Sequence, residues 1–197
     1  MKEFLFLRHG ETDWAVQRFY YGYADCQLNE RGRRQAVEAG ERLREFGPFQ
    51  HAFVSDLSRT RDTASLAFPE IRDWVQLPEL RERNFGRWEG RHYREIMESE
   101  PEEWQAWCED TWTRPVPGGE SDSQFGRRAA GAWQRLEAAV EEGERALVVA
   151  HSGSIRGMLI AALDLPSDTF QKLRLDPCRA CRLLVSEGYP VLVGFGI

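Results

Sequence analysis

Along this chain short, unbroken apolar runs alternate with stretches in which apolar residues recur every three or four positions. The runs fall at residues 3–7, 51–54, 74–77, 146–150, 181–185 and 191–195. They are too short for helices and are bounded by turn formers, which is how strands buried on both faces read. Helical periodicity occupies residues 33–46, 59–68, 121–141 and 154–163. In the first of these Ala36, Val37, Gly40 and Leu43 are expected to face inward, and Gly47-Pro48 ends it. Ser58 is expected to cap the second, its hydroxyl accepting from a first-turn amide. Gly188-Tyr189-Pro190 makes the last two runs a hairpin. The alternation predicts an α/β fold, a three-layer sandwich whose central sheet is mostly parallel with an antiparallel C-terminal strand.

The pattern breaks between residues 78 and 119. Five of the seven tryptophans, Trp74, Trp88, Trp104, Trp107 and Trp112, fall in or beside this stretch, with dense acid at residues 98–103. It reads as a small helical insertion, a cap carried by one domain that spans residues 1–197. Either Trp104 and Trp107 are the buried face of a helix or they offer flat surfaces to a ligand.

Composition narrows the partners. With 197 residues, 42% of them apolar, the chain is long enough for a full core. A net charge of −6 argues against nucleic acid or an anionic membrane, since both demand a basic face. No run approaches a membrane span and no secretory signal is visible at residue 1, so a cytoplasmic location is expected. Of the cysteines Cys26, Cys108, Cys178 and Cys181, the last two form Cys-x-x-Cys without a second ligand pair. They read as two thiols near a strand start.

The chemistry collects at the ends of the apolar runs, the edge where open α/β sheets bind ligands. The first run ends in Arg8-His9-Gly10, the second leads to Ser58-Arg59, and the fourth ends in His151-Ser152-Gly153. Guanidiniums present a planar fork to phosphate oxygens, and helix amino termini add free amides. A neutral imidazole with one bare nitrogen attacks phosphorus, and His9, beside Arg8, is the better candidate. A proton donor for the leaving oxygen is sought among Glu79, Glu82 and Glu89, of which Glu82 is preferred. The competing reading makes Glu82 a surface partner of Arg81 or Arg83, and makes each histidine a structural residue.

These residues resemble the motifs of the histidine phosphatase, or phosphoglycerate mutase-like, superfamily. Leu7-Arg8-His9-Gly10-Glu11-Thr12 is similar to its nucleophile motif, residues 55–64 to its second pocket motif, and His151-Ser152-Gly153-Ser154-Ile155-Arg156 to its third. The resemblance implies that His9 is phosphorylated, that Glu82 serves as acid and then base, and that Arg8, Arg59, His151 and Ser152 bind phosphate. It also implies no metal and no cofactor, and a small-molecule phosphate monoester as partner. One departure stands out: Ala15 replaces an asparagine the family often uses in its pocket, leaving Thr12 or Ser154 as substitutes. Within the superfamily, residues 79–110 are most similar to the α-ribazole phosphatase branch of cobalamin biosynthesis, where Trp104, Trp107 or Trp112 would stack on a benzimidazole. A broad-specificity phosphatase and a cofactor-dependent phosphoglycerate mutase are the enzymatic alternatives. A phospho-ligand-binding module is the non-enzymatic one, and it predicts a degraded His9 or Glu82. Both are present.

Overall fold

The computed structural model describes residues 1–197. Six strands form one sheet: β1 (Lys2–Arg8), β2 (His51–Val54), β3 (Val75–Gln76), β4 (Arg145–Ala150), β5 (Ala180–Ser186) and β6 (Tyr189–Phe195), in the spatial order β3-β2-β4-β1-β5-β6. The first four run parallel, β5 pairs antiparallel with β1, and β6 pairs antiparallel with β5. The helices are α1 (Asp13–Val16), α2 (Glu30–Leu43), α3 (Ser58–Ala67), α4 (Tyr93–Ser99), α5 (Pro101–Glu109), α6 (Asp122–Ala139) and α7 (Ser152–Ala162).

Strand β1 shows why the sheet is sandwiched. Its side chains alternate faces. Phe4 and Phe6 pack with residues of α6 and α7, including Trp133 and Met158, whereas Leu5 and Leu7 pack with Ala36 and Leu43 of α2 and Ala64 of α3. Its neighbour β4 divides likewise, with Val148 on the first side and Leu147 and Val149 on the second. Each fully buried side chain of this kind contributes roughly 1.5–3 kcal/mol by leaving water. An uninterrupted apolar run is therefore what a central parallel strand requires, and it brings Arg8 and Ala150 into register at the same edge.

Several boundaries differ from the sequence reading for local reasons. Helix α2 begins at Glu30 because the Asn29 side chain accepts from the Gly32 amide, and its inner face uses Ala39 while Val37 is exposed. Ser58 does not cap α3. It is the helix's first residue, and its amide and hydroxyl both donate to Asp25, at 2.8 and 2.6 Å. A carboxylate held nearby accepts both bonds at once. The third run shortens to Val75–Gln76, while α6 is capped by Ser121 and Gln124 in a reciprocal box.

Between β3 and α6, helices α4 and α5 surround a separate small core of Trp88, Ile96, Trp107 and Val116, against which Tyr20, Phe85 and Trp104 pack. Cys178 and Cys181 are buried free thiols, and burial pushes both up to about 12, so neither forms a thiolate near neutrality.

Candidate active site

The end of β1 presents His9 through contacts with two neighbouring elements. Its amide donates to the Ala150 carbonyl at 3.0 Å, extending the β1–β4 pairing by one residue. The next amide, of Gly10, donates to Thr63 Oγ1 on α3 at 3.0 Å. Gly10 lies against the first turn of α2, where any Cβ at Gly10 would stand 2.4 Å from the Gly32 carbonyl oxygen. The chain after the nucleophile candidate is thus held by its lack of a side chain.

That fixed backbone sets the imidazole's tautomer. Nδ1 lies 2.7 Å from the Gly10 carbonyl oxygen, which only accepts, so Nδ1 carries the proton and Nε2 is bare. His9 is 3% exposed. Burial, reinforced by the Arg59 and Arg8 guanidiniums, holds it well below the ordinary imidazole value, so the ring is neutral near pH 7. A neutral imidazole with an unbonded Nε2 is the form that attacks phosphorus.

Two cations stand around it. Arg59 rises from the first turn of α3 and donates from Nη2 to Gly22 at 2.7 Å, from Nη1 to Ala24 at 3.0 Å and from Nε to His151 Nδ1 at 3.2 Å. Its guanidinium also lies over the Tyr21 ring, 5.0 Å from the centroid. Arg8 donates from Nη1 to the Leu175 carbonyl at 2.6 Å, while its Nε is buried without a partner.

His151 differs from His9 in what its nitrogens do. Since an arginine Nε–H only donates, His151 Nδ1 must accept, and Nε2 then donates to Ser55 Oγ at 2.9 Å. Burial, then Arg59, His9 and Arg8, hold this ring neutral as well. The two imidazoles meet edge to face with centroids 5.1 Å apart. His151 is fully buried with both nitrogens engaged, and it orients Arg59. Ser152, the first residue of α7, donates to the Leu175 carbonyl at 3.4 Å. Neither His151 nor Ser152 is on the cavity wall described next. Ser154, a candidate to replace the asparagine absent at Ala15, is sealed in bonds to the His151 backbone, and Thr12 Oγ1 accepts from the Ala15 amide.

A cavity of about 300 Å³ opens at this edge of the sheet. Arg8, His9, Arg59 and Glu82 line its polar side, and Phe19, Tyr20, Tyr21, Phe85, Phe125 and Phe170 its aromatic side. Glu82 reaches in from the segment after β3. Its Oε2 accepts from the Gly153 amide of α7 at 2.8 Å and its Oε1 from the Arg83 amide at 2.9 Å. A Cβ on Gly153 would lie 2.0 Å from Glu82 Oε1, so this close approach needs glycine. The Arg81 and Arg83 guanidiniums do not pair with it. Arg81 grips Asp56 with two bonds, and Arg83 pairs with Asp122. The surface ion pair with either arginine is therefore not formed.

Trp104 and Trp107 correct the reading of the insertion. Both belong to its small core, stacked around Trp88 and Tyr20, and neither lines the cavity. Their helical spacing reflects burial, with Trp107 reaching the cavity wall through Tyr20, 6.0 Å between ring centroids, and through Arg83, whose guanidinium lies 5.3 Å from its ring centroid.

Two residues whose structural roles the sequence does not show hold the site together. Glu89 accepts from the amides of Gly22, Tyr23, Ala24 and Phe85, at 2.8 to 3.0 Å. It therefore shapes the loop that supplies Arg59 with two carbonyls and the cavity with Tyr20 and Tyr21. Arg128 on α6 donates to the carbonyls of Glu79, Arg81 and Glu82, and is itself clamped by both oxygens of Glu120. Glu89 is marked in the sequence only as a candidate proton donor, and neither it nor a cation in mid-helix has a spacing that shows these roles.

Comparison with known proteins agrees with this geometry. A model of the histidine phosphatase superfamily (branch 1) matches residues 4–197. The adenosylcobalamin/alpha-ribazole phosphatase of Salmonella typhimurium is 35% identical over 189 residues, covering 94% of this chain and 92% of that protein. A phosphoglycerate mutase-like protein of Arabidopsis thaliana is 35% identical over 159 residues, covering 79% of this chain and 69% of its own. Among solved structures, the alpha-ribazole phosphatase of Shigella flexneri superposes with a TM-score of 0.90 at 27% identity, over 99% of this chain and 96% of that one. No helix here is long and apolar enough to cross a membrane. The chain belongs to the histidine phosphatase superfamily, and it is a phosphatase.

Proposed function

We propose that the protein hydrolyses phosphate monoesters through a phosphohistidine at His9, with α-ribazole 5′-phosphate as its substrate. The observation that carries the mechanism is the bare Nε2 of a buried, neutral His9, placed with Arg8, Arg59 and Glu82 around one cavity. In the first step Nε2 attacks phosphorus in line with the ester oxygen. The P–N bond forms, the P–O ester bond breaks, and a proton on Glu82 passes to the departing oxygen. Water then attacks phosphorus, Glu82 takes its proton, and the P–N bond breaks to release phosphate. Arg8 and Arg59 offset the charge spread over the phosphoryl oxygens in both steps. His151 acts on the pocket by orienting Arg59 and by adding no charge of its own.

The substrate reading is supported by the likeness to alpha-ribazole phosphatases in sequence and fold, and by six aromatic side chains on the cavity wall. Aromatic surface suits a flat base more than a small hydroxy acid. The test is a panel of α-ribazole 5′-phosphate, phosphoserine, 3-phosphoglycerate and 4-nitrophenyl phosphate, with rapid acid and alkaline quenches to detect labelled protein. The expected result is the highest kcat/KM on α-ribazole 5′-phosphate and an acid-labile, alkali-stable label absent from His9→Ala. Isomerised phosphoglycerate without net phosphate release would overturn the phosphatase mechanism, and equal rates on all esters would overturn the substrate.

A further inference from the structure

A second depression adjoins the catalytic cavity. It has a volume of about 540 Å³ and shares Asp122, Phe125, Phe170 and Gln171 with the cavity wall. The two spaces meet at the Phe125 and Phe170 rings, which stand edge to face with centroids 6.2 Å apart. Each ring is backed by a cation, Arg128 over Phe125 at 5.1 Å and Arg156 over Phe170 at 4.0 Å. Beyond the rings the depression runs between the turn ahead of α6, α6 itself, and the end of α7.

Three features say what it accepts. Its walls are apolar and open: Trp112 is 51% exposed and Leu165 38% exposed, and Ile160 and Ala161 of α7 complete the floor. Large apolar side chains left in water beside a cavity mark a groove for a ligand. Its charged wall residues are Asp122, Asp164 and Asp168; Asp122 pairs with Arg83 and Asp168 with Lys172, and Asp164 stands without an ion pair. A negatively charged group placed beside Asp164 would be repelled. Finally, Gly126 of α6 keeps the groove clear, since a Cβ built on it meets no atom within 4 Å.

We infer that this groove binds the leaving group of the ester, and that it selects a flat, apolar group without negative charge. The inference rests on the phosphomonoesterase reading and narrows its substrate class. With phosphorus at His9, the ester oxygen points away from Nε2 and the remainder of the substrate passes over the Phe125–Phe170 pair, which lines both spaces. An aromatic bicycle then stacks on Trp112, and a carboxylate at the same place is disfavoured by Asp164. The exposed Trp112, outside the insertion's own core, is the tryptophan that meets the substrate.

The test compares 1-naphthyl phosphate with glycerol phosphate, and phenyl phosphate with 4-carboxyphenyl phosphate. Wild type is expected to favour phenyl over 4-carboxyphenyl phosphate by about tenfold in kcat/KM at low salt, with the gap narrowing as salt screens Asp164. In Gly126→Leu, which fills the groove from a helix position with open space, and in Trp112→Ala, which removes a wall, the naphthyl-to-glycerol ratio of kcat/KM should fall about tenfold or more. Tyr189→Ala, on the far strand β6, should leave the ratio unchanged, and Tm is followed for every variant. If the ratio survives in both groove variants, or the carboxylate costs nothing, the groove is not the leaving-group site, even though hydrolysis through His9 stands. If His9→Ala hydrolyses these esters at the wild-type rate, the phosphomonoesterase reading itself falls. Selectivity for naphthyl phosphate without hydrolysis of α-ribazole 5′-phosphate keeps the groove and removes that particular substrate.

Discussion

The two ends of the substrate space are built on opposite principles. At the phosphoryl end the polar side chains are tied to backbone: His9 to Gly10, Arg59 to Gly22 and Ala24, Arg8 to Leu175, Glu82 to Gly153 and Arg83. At the leaving-group end the walls are rings and aliphatic side chains, with half-exposed Trp112 at the rim. Hydrogen bonds to main chain fix direction as well as distance, which transfer of a phosphoryl group requires. Apolar contact fixes area but little direction, so the second end governs which ester enters. Changes at the first end should therefore affect all substrates alike, and changes at the second should reorder them.

The largest effect expected is that of His9→Ala. It should lower kcat/KM for every ester by at least about 10³-fold, since removal of a nucleophile leaves only binding and charge stabilisation. Steady-state rates on a good and a poor leaving group check this, and a loss confined to one ester would break the contrast between the two ends. Glu82→Gln comes next. Loss of a general acid costs about 10²–10⁴-fold, and here most for esters of poorly leaving alcohols. A nitrophenyl ester needs less proton assistance, so its rate of phosphohistidine formation should fall far less than that of glycerol phosphate. Equal losses would mean that Glu82 only binds.

Glu89→Gln tests the loop that joins the ends. Its amide has one acceptor oxygen where the carboxylate offered two to four backbone N–H groups. Burying N–H groups without partners costs about 1–3 kcal/mol each, so Tm and phosphate affinity should fall together. Unchanged phosphate affinity would show that Arg59 keeps its place without the loop.

The smallest expected effect is on pH dependence. His9 and His151 stay neutral in the folded chain well below the ordinary value of 6.5, through burial first and the arginines second. Below that value the unfolded chain takes up protons that the folded chain does not. Their contribution to stability is thus complete above about pH 6.5 and declines as pH falls toward the folded values. Urea unfolding of wild type and His151→Asn at about pH 7.5 and about pH 5.5 measures this, with the variant losing less stability by up to about one proton's linkage. An identical decline in both would show that His151 does not contribute.

How far the sequence could be read depended on range. The runs at β1, β2 and β4 were legible because a strand buried on both faces has no polar positions to blur it. Their ends placed Arg8, His9, Arg59 and His151 at one edge without further help. Glu82 was legible as one of three acids, and it was distinguished from its neighbours only when Arg81 and Arg83 found Asp56 and Asp122. Trp104 and Trp107 show the opposite case. Helical spacing marks a buried face, yet it is silent on which core buries it, and here that core lies behind the cavity.

The sequence by itself determined the sandwich, the sheet edge that carries the chemistry and the residue types gathered there, because period and run length are local properties of the chain. Only the tertiary structure shows which partners hold each member of that set. Whether an imidazole attacks or supports depends on which partners occupy its two nitrogens, and those partners come from residues far apart in the chain. Gly10 beside His9 leaves Nε2 bare, whereas Arg59 and Ser55, over ninety positions from His151, occupy both of its nitrogens.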